Sequence, residues 1–246
     1  MFSEAVKLNR EAVQNLNQPK LALENLRKAQ EIIFNSTQAE IPNRLEILAT
    51  TYNNFACYYK SKKQFKVALN YLKKALRIEL QIGKDSNSIA LTCLNFSAVH
   101  SELSDHKKAL EMAELAINQL QRLVLYTENS IVSNLIYAYY NAGVECEHLN
   151  RLQKAVVYLQ NGLDLCKSHL KESNPLYTKL SKATSRAFQR LQKLNLLRTQ
   201  RSKSRERSRE LTSFRRTLTP KRSRLSTRSS AYGTLRPQTG HKYYKW

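Results

Sequence analysis

Residues 49–83 read ATTYNNFACYYKSKKQFKVALNYLKKALRIELQIG and contain two amphipathic patterns joined by a short polar segment at Lys60–Gln64. In each pattern apolar residues recur at steps of three and four, which is the spacing of one face of a helix. Small residues stand among the bulky ones, as they do where two helices cross closely. The stretch therefore predicts a helix–turn–helix pair. Its apolar positions are Tyr52, Phe55, Ala56 and Tyr59 in the first pattern and Phe65, Ala68, Leu69, Leu72, Ala75, Leu76 and Leu80 in the second.

The pattern recurs along the chain. A shift of 41 residues carries Ala68 to Ala109, and a further shift of 46 carries it to Ala155. A backward shift of 46 reaches Ala22, although the first helix of that unit fits poorly. Repetition is a much stronger signal than one amphipathic pair, and it predicts three good units and one degenerate N-terminal unit.

This order of small, aromatic and large positions resembles the tetratricopeptide repeat, a helix–turn–helix unit of roughly 34 residues. The units here are longer, and their Asn-Asn-apolar-Ala start is similar to that of kinesin light chain repeats. Tyr52 stands where the family usually has Trp, and the late Pro is missing. The resemblance covers about residues 2–170 and implies an all-α, helical-repeat solenoid of stacked antiparallel helix pairs. The matching small, aromatic, small, large and small positions are Ala56, Tyr59, Ala68, Leu72 and Ala75.

The sequence predicts three segments. Residues 1–173 form about four helical units. Residues 174–197 begin with Asn174-Pro175 and carry one apolar stripe, which predicts a C-terminal helix that caps the stack. Residues 198–246 are Ser/Arg-rich, with too few apolar residues for burial to offset chain entropy, so we expect a basic tail that is disordered in isolation.

The net charge of +22 is unevenly distributed. It is +4 for residues 1–173, +5 for residues 174–197 and +13 for residues 198–246. This asymmetry predicts a folded module with a basic arm that binds a polyanion, although the cations of residues 174–197 could equally form a solvated outer face. The candidate polyanion-binding residues are Lys179, Lys182, Arg186, Arg190, Lys193, Arg215, Arg216, Lys221, Arg222 and Arg224.

Two kinds of polyanion fit the arm. Its charges could attach to an acidic protein surface such as tubulin tails, or to RNA phosphates. No folded RNA reader is present in the sequence, which favours an adaptor on a microtubule or ciliary lattice in the cytoplasm. The alternative is a nuclear or RNA-associated scaffold, since Pro220–Arg224 resembles a nuclear import signal. Thr219, which precedes Pro220, is a candidate phosphorylation site.

No catalytic constellation is found in the sequence. A Gly-rich phosphate loop and a nucleophile elbow are absent, and the five histidines are scattered. The four cysteines lack metal-ligand spacing, which predicts structural thiols in a reducing compartment. No run of 18 apolar residues occurs, so we expect no membrane insertion. The sequence thus predicts a protein that is not an enzyme and needs no metal or cofactor.

The resemblance implies a peptide groove lined by the first helices of successive units. In the family, the position two residues before the first small residue points into this groove. That position holds Asn54, Asn95 and Asn141 in the three good units. An Asn amide donates and accepts at once, which suits an extended peptide backbone. The alternative is that these amides are simply polar groups beside a helix–helix seam.

A cation near the asparagines would bind a terminal carboxylate of the partner peptide. Lys60 is the candidate for this role. The equivalent places in the next two units hold Ser101 and Glu147, which argues against a strict carboxylate clamp.

Overall fold

The computed structural model describes residues 2–37, 43–83, 86–123, 129–170 and 174–218. Within these ranges the chain forms nine α-helices and no β-strand. The predicted all-α, helical-repeat architecture is confirmed. The helices are α1 (Phe2–Gln14), α2 (Pro19–Asn35), α3 (Arg44–Ser61), α4 (Phe65–Ile82), α5 (Ser86–Glu102), α6 (His106–Leu123), α7 (Asn129–His148), α8 (Leu152–His169) and α9 (Pro175–Leu218).

The turns inside the three good units have the same backbone geometry. Lys63, Ser104 and Asn150 adopt left-handed conformations with φ of 58°, 58° and 56°. They are separated by the same 41 and 46 residues as the small positions. The backbone therefore reproduces the register that the sequence predicts. The residue after each also donates to a carbonyl five positions back: Gln64 N to Tyr59 O (2.9 Å), Asp105 N to His100 O (2.9 Å) and Arg151 N to Cys146 O (2.8 Å).

Three helix ends are explained by the residues that occupy them. Proline occupies the first turn of α2, where a missing N–H costs nothing. Gly83 ends α4 with φ of 66°, a conformation that glycine adopts without strain. Asn174 Oδ1 accepts a hydrogen bond of 2.9 Å from Leu176 N and so caps α9.

Small residues allow the paired helices to cross closely. Ala68, Ala109 and Ala155 are fully buried. At Gly143 on α7 a Cβ would collide with the side chain of Leu159 on α8, so this crossing requires glycine. The small positions picked from the sequence therefore lie at helix crossings in the core.

The first helices of the units (α1, α3, α5 and α7) pack against one another in sequence. Each second helix packs against its own partner and against the first helix of the next unit. Within the described ranges the second helices make no comparable contact with each other. This arrangement places the first helices on the inner side of the stack, where a groove is expected.

The start of α9 covers the last unit, as the sequence predicts. Leu176, Leu180, Ala183 and Ala187 are buried in the core formed by α5–α8. Leu180 lies against Gly162 of α8. Burial removes apolar area from water, which is the main gain that a capping helix provides.

The chain divides into two units, residues 1–196 and 197–246, and the second is described only as far as residue 218. The capping helix does not end at Leu197 as predicted; α9 continues to Leu218. Scarcity of apolar residues removes tertiary packing, but it does not prevent a helix from forming. Arg, Lys, Glu, Gln and Leu are strong helix formers, and the first helix breaker after Pro175 is Pro220. Every side chain from Arg198 to Phe214 is exposed.

Four of the predicted residues, Thr219, Lys221, Arg222 and Arg224, lie outside the described residues. None of the helices described above is both long and apolar enough to cross a membrane.

Candidate functional site

The three predicted groove asparagines lie on first helices. Asn54 is on α3, Asn95 on α5 and Asn141 on α7, and all three side chains are half-buried. The sequence register therefore placed them on equivalent helices of successive units.

Two of these amides are engaged within the fold. Asn54 Nδ2 donates to Asn9 Oδ1 at 3.0 Å, which ties α3 to α1. Asn95 Nδ2 donates to Asn53 Oδ1 at 3.2 Å, which ties α5 to α3. In contrast, the Asn141 side chain makes no hydrogen bond with any residue that the structure describes. Asn54 and Asn95 thus stabilise a seam between first helices, while Asn141 keeps its full capacity for a ligand.

A cavity of about 540 Å³ opens between α1 and α3 and includes Asn54. Its walls are mainly apolar, and the side chains of Asn9 and Arg10 add polar groups beside them. A pocket of this kind suits an apolar side chain whose backbone meets an amide. The lining residues are Val6, Asn9, Arg10, Val13, Gln14, Ile47, Thr50 and Asn54.

The seam between α3 and α5 is centred on Glu79, a carboxylate that is only 3% exposed. Its Oε1 accepts hydrogen bonds from Asn53 (3.3 Å), Ser88 (2.9 Å) and Thr92 (2.9 Å). Its Oε2 has no partner among the described atoms. Burial raises the pKa of Glu79 above its usual range, although these three donors oppose the shift.

Lys60 lies in the last turn of α3 and is half-buried. Its equivalents in the next two units serve the fold. Ser101 donates to Glu145 Oε1 at 2.6 Å, and His106 Nδ1 lies 2.7 Å from Glu145 Oε2. Glu145 is 2% exposed, so these contacts satisfy the hydrogen-bonding capacity of a buried carboxyl group.

Glu147 holds two of the predicted polyanion-binding residues. Arg186 Nη2 donates to Glu147 Oε2 at 2.6 Å, and Arg190 Nη1 donates to Oε1 at 3.0 Å. Burial acts to raise the pKa of Glu147, but the hydrogen bonds and charges of both arginines outweigh it and hold the pKa below its ordinary value. Arg186 and Arg190 therefore fasten the capping helix to α7.

This contact was not predicted from the sequence. Arg186 and Arg190 share one helix face, and residues 174–197 contain no acid to pair with them. The one sequence signal for such a partner is Glu147, an acid at the position of its unit that Lys60 occupies in the second unit. The three residues line a cavity of about 520 Å³ together with Tyr140, Val144 and His148.

The remaining predicted cations are placed differently. Lys179, Lys182 and Lys193 are exposed on α9, and none is ion-paired with another described residue. Arg215 and Arg216 lie in the last turn of α9. A further row of exposed arginines, which was not singled out from the sequence, runs along the second part of α9. Arg198, Arg201, Arg205 and Arg209 border one shallow depression with Ser202 and Glu206.

The cysteines are free, and Cys93, Cys146 and Cys166 are buried. Burial raises the pKa of Cys93 and of Cys146 to about 11, which keeps both thiols protonated and unreactive at neutral pH. Within the described part of the chain no cluster of His, Cys, Asp and Glu could hold a metal ion.

Comparison with known proteins agrees with this architecture. The tetratricopeptide repeat family matches residues 47–122 and, separately, residues 136–169. A search of curated proteins finds no match to the sequence.

Two solved structures illustrate the likeness of fold. One holds the nearly identical TPR-like repeats of a protein described as a kinesin light chain of Podosopora anserina; it is 18% identical, with a TM-score of 0.56 over 90% of this chain and 96% of that chain. The other is BtubC (BKLC) from P. vanneervenii, which is 16% identical, with a TM-score of 0.59 over 96% of this chain and 97% of that chain.

Tetratricopeptide repeats build scaffolds for protein–protein interaction, and the family is generally non-enzymatic. The presence of these repeats in the chain supports partners that are proteins. The matched segments, the repeated turn geometry and the stacked helix pairs all agree: the chain carries tetratricopeptide repeats over residues 47–122 and 136–169, and its fold resembles that of kinesin-light-chain-like repeat structures.

Proposed function

We propose that the protein is an adaptor whose repeat groove binds a segment of a partner protein and whose basic arm, residues 198–246, attaches to an acidic lattice. The lattice that fits best is a microtubule, in the cytoplasm, the cytoskeleton or a cilium, with the Glu-rich tails of tubulin as the acidic surface. The observation that carries the proposal is the concentration of cations beyond residue 197, of which the six between Arg198 and Arg209 are exposed, on a chain whose repeat body is almost neutral.

The groove supplies the first half of the function. The α1–α3 cavity offers an apolar pocket next to the Asn54 amide, and Asn141 offers an amide with no partner among the described residues. Together they suit an extended segment that inserts an apolar side chain near α1 and presents its backbone to amides farther along the first helices.

The arm supplies the second half. Arg198, Arg201, Arg205 and Arg209 follow one another at steps of three and four, so their side chains share one face of α9. Guanidinium groups donate two parallel hydrogen bonds to a carboxylate. A row of them fits a Glu-rich peptide, and the attraction falls with salt because exposed charges are screened.

Microtubule co-sedimentation tests the arm. We expect the full chain to pellet with microtubules at low salt, a chain ending at residue 197 to remain in the supernatant, and pelleting of the full chain to fall steeply as salt rises. Equal pelleting of the two chains, with the same salt dependence, would contradict the proposal.

A matched pair of variants tests whether microtubule binding depends on where the positive charges lie or only on the total charge of the chain. Changing Arg198, Arg201, Arg205 and Arg209 to Gln removes four charges from the arm. Changing Lys179, Lys182, Lys193 and Lys20 to Gln removes four exposed charges from outside the arm, three from the capping part of α9 and one from the first repeat unit. The arm variant should lose most of its microtubule binding, while the body variant should keep most of it.

The groove is tested with a peptide selected on the wild-type chain from a displayed random library. Asn141→Ala should weaken this peptide without changing the melting temperature, since the amide makes no hydrogen bond within the described structure. Asn54→Ala should also lower the melting temperature, because it breaks the contact with Asn9. One lost hydrogen bond is worth about 0.5–1.5 kcal/mol. Unchanged peptide affinity in both variants would contradict a role for these asparagines in peptide binding.

A second candidate is a nuclear or RNA-associated scaffold. Residues 197–218 contain seven Arg and one Lys, and the Arg fork also fits phosphate oxygens. A stronger preference of the full chain for single-stranded RNA than for microtubules at matched salt would favour this candidate.

A further inference from the structure

Three hydroxyl residues follow one another at steps of four in the second part of α9: Ser204, Ser208 and Thr212. An interval of four brings side chains to the same side of a helix. Each hydroxyl is preceded by an arginine at the third position before it. The three arginines, Arg201, Arg205 and Arg209, also recur at steps of four.

These hydroxyls are exposed and held only by local bonds. Ser204 Oγ donates to Gln200 O at 2.9 Å, Ser208 Oγ to Ser204 O at 2.9 Å, and Thr212 Oγ1 to Ser208 O at 2.7 Å. All three bonds go to the carbonyl four residues back, and no packing contact protects the side chains. A bond of this type is readily given up, because it competes with the helical backbone pattern.

We propose that Ser204, Ser208 and Thr212 form an array of phosphorylation sites for a protein kinase that selects arginine three residues before the acceptor. In each transfer the hydroxyl oxygen forms a bond to the γ-phosphorus of a nucleoside triphosphate, and the bond from that phosphorus to the β–γ bridging oxygen breaks. The nucleoside diphosphate leaves, and the hydroxyl proton passes to a base of the kinase. These sites are separate from Thr219.

The helix does not prevent access to a kinase. Every side chain from Gln200 to Ser213 is exposed, so burial adds little to the stability of this part of the helix. A helix without such packing is marginal in water and opens locally at low cost. The three sites can therefore adopt the extended form that a kinase active site holds.

The net charge of residues 197–218 determines what phosphorylation would do to this segment. Residues 197–218 contain eight basic residues against Glu206 and Glu210, a net charge of +6. Three phosphates add about −4.5 to −6 charges near pH 7, which cancels most or all of it. In the refolded helix each phosphate lies one turn from the arginine that precedes it and can pair with its guanidinium. The arginines that specify the site are then occupied by its product.

The proposed phosphorylation does not depend on the proposed function of the arm. Only its expected effect, a weaker attachment to the acidic lattice, rests on that function. The full chain is incubated with ATP and the catalytic domain of the cyclic-AMP-dependent or the calmodulin-dependent kinase, both of which select arginine at that position. Phosphopeptide mass spectrometry then locates the phosphates. We expect incorporation at Ser204, Ser208 and Thr212 by at least one enzyme, and absence of phosphate from all three would overturn the proposal.

A matched pair of triple variants tests the arginine register. Changing Arg201, Arg205 and Arg209 to Gln should lower the initial rate of incorporation at the three sites at least tenfold. Changing Arg198, Lys203 and Arg207 to Gln removes the same charge but leaves the register intact, so the rate should stay within about threefold of wild type, because substitutions at exposed positions have small effects on the fold. An equal loss of phosphorylation rate in both variants would mean that the kinase responds to positive charge in general and not to the arginine register. That result would overturn the proposal.

Co-sedimentation of the phosphorylated and unmodified chains keeps this inference apart from the proposed function. If phosphate enters the three sites but neither form binds microtubules, the array stands and the lattice proposal fails. If the unmodified chain binds microtubules and no phosphate enters, the lattice proposal stands and the array fails.

Discussion

The two parts of α9, residues 175–196 and 197–218, are both cationic and both helical, yet they differ in what their side chains contact. In the first part Leu176, Leu180, Ala183 and Ala187 are buried, and two of the five cations bind a buried carboxylate. In the second part eight cations accompany two acids, and no described side chain is buried. Positive charge alone therefore does not identify a ligand-binding surface. A buried counter-ion such as Glu147 shows which cations serve the fold.

The largest effect should come from removing apolar packing in the first part. Leu180 is fully buried against α8, so Leu180→Ala should lower the free energy of unfolding by about 2–5 kcal/mol. Leu211 is 63% exposed in the second part, and Leu211→Ala should change it by no more than about 0.5 kcal/mol. Guanidinium denaturation followed by circular dichroism measures both, and similar losses would remove the distinction between the two parts.

The next effect tests the register of the repeats themselves. Ala68 is fully buried at a helix crossing, so Ala68→Leu should cost about 1–3 kcal/mol through overpacking. Lys66 is exposed two residues away, and Lys66→Leu should leave the melting temperature nearly unchanged. Equal shifts in melting temperature would show that the repeat register is misplaced.

A smaller, pH-dependent effect should follow the loss of the Glu147 charge. Hydrogen bonds to charged groups are worth about 1.5–3 kcal/mol, and the half-exposed arginines reduce this, so Glu147→Gln should cost about 1–2 kcal/mol at pH 7. The folded-state pKa of Glu147 lies below its ordinary value of 4.5. Its stabilisation is therefore complete above that value and is lost as pH falls through the folded-state pKa.

Thermal melts of wild type and Glu147→Gln between pH 3 and pH 7 test whether the stabilisation by Glu147 is lost as the pH falls. The gap between the two melting temperatures should narrow as the pH falls. Glu206→Gln, in the second part of α9, serves as the control, since that side chain is exposed and should shift nothing. A gap that is constant with pH would mean that the carboxylate makes no net contribution.

The smallest effect on stability should accompany cleavage of the second part. Trypsin sites are present in both parts, but only the second lacks packing. Limited trypsin digestion should therefore cut between Arg198 and Arg216 well before it cuts at Lys179 or Lys182. The nicked body should retain the melting temperature of the full chain, and early cleavage at Lys179 would contradict the difference in packing.

The repeats and their turns are predictable from the sequence because small residues and turn positions recur together, at the same shifts of 41 and 46 residues. That spacing alone identifies Ala68, Ala109 and Ala155 as core positions, and all three are fully buried. The end of α9 does not follow from burial arguments, since helix propensity without packing extends the helix to Leu218.

The candidate site was predicted less well. Asn54, Asn95 and Asn141 were assigned to the correct helices, but one residue type covers two situations: two amides bond across the seam and one has no bond in the described structure. Which situation holds depends on residues more than 40 positions away, such as Asn9 and Asn53. Pairings at that distance leave no periodic trace in a sequence.

The polar contacts between successive first helices have a consequence for how the units assemble. The α1–α3 junction pairs Asn9 with Asn54, the α3–α5 junction pairs Asn53 with Asn95 and Thr92, and the α5–α7 junction pairs Ser101 with Glu145. Because each junction has its own donors and acceptors, the units are not interchangeable. Deleting or exchanging one would bury amides and carboxylates without partners, at about 1–3 kcal/mol for each group. The polar residues at each junction thus specify the order of the units. The same mismatch disfavours the stacking of a unit from a second copy of the chain at a junction that is not its own.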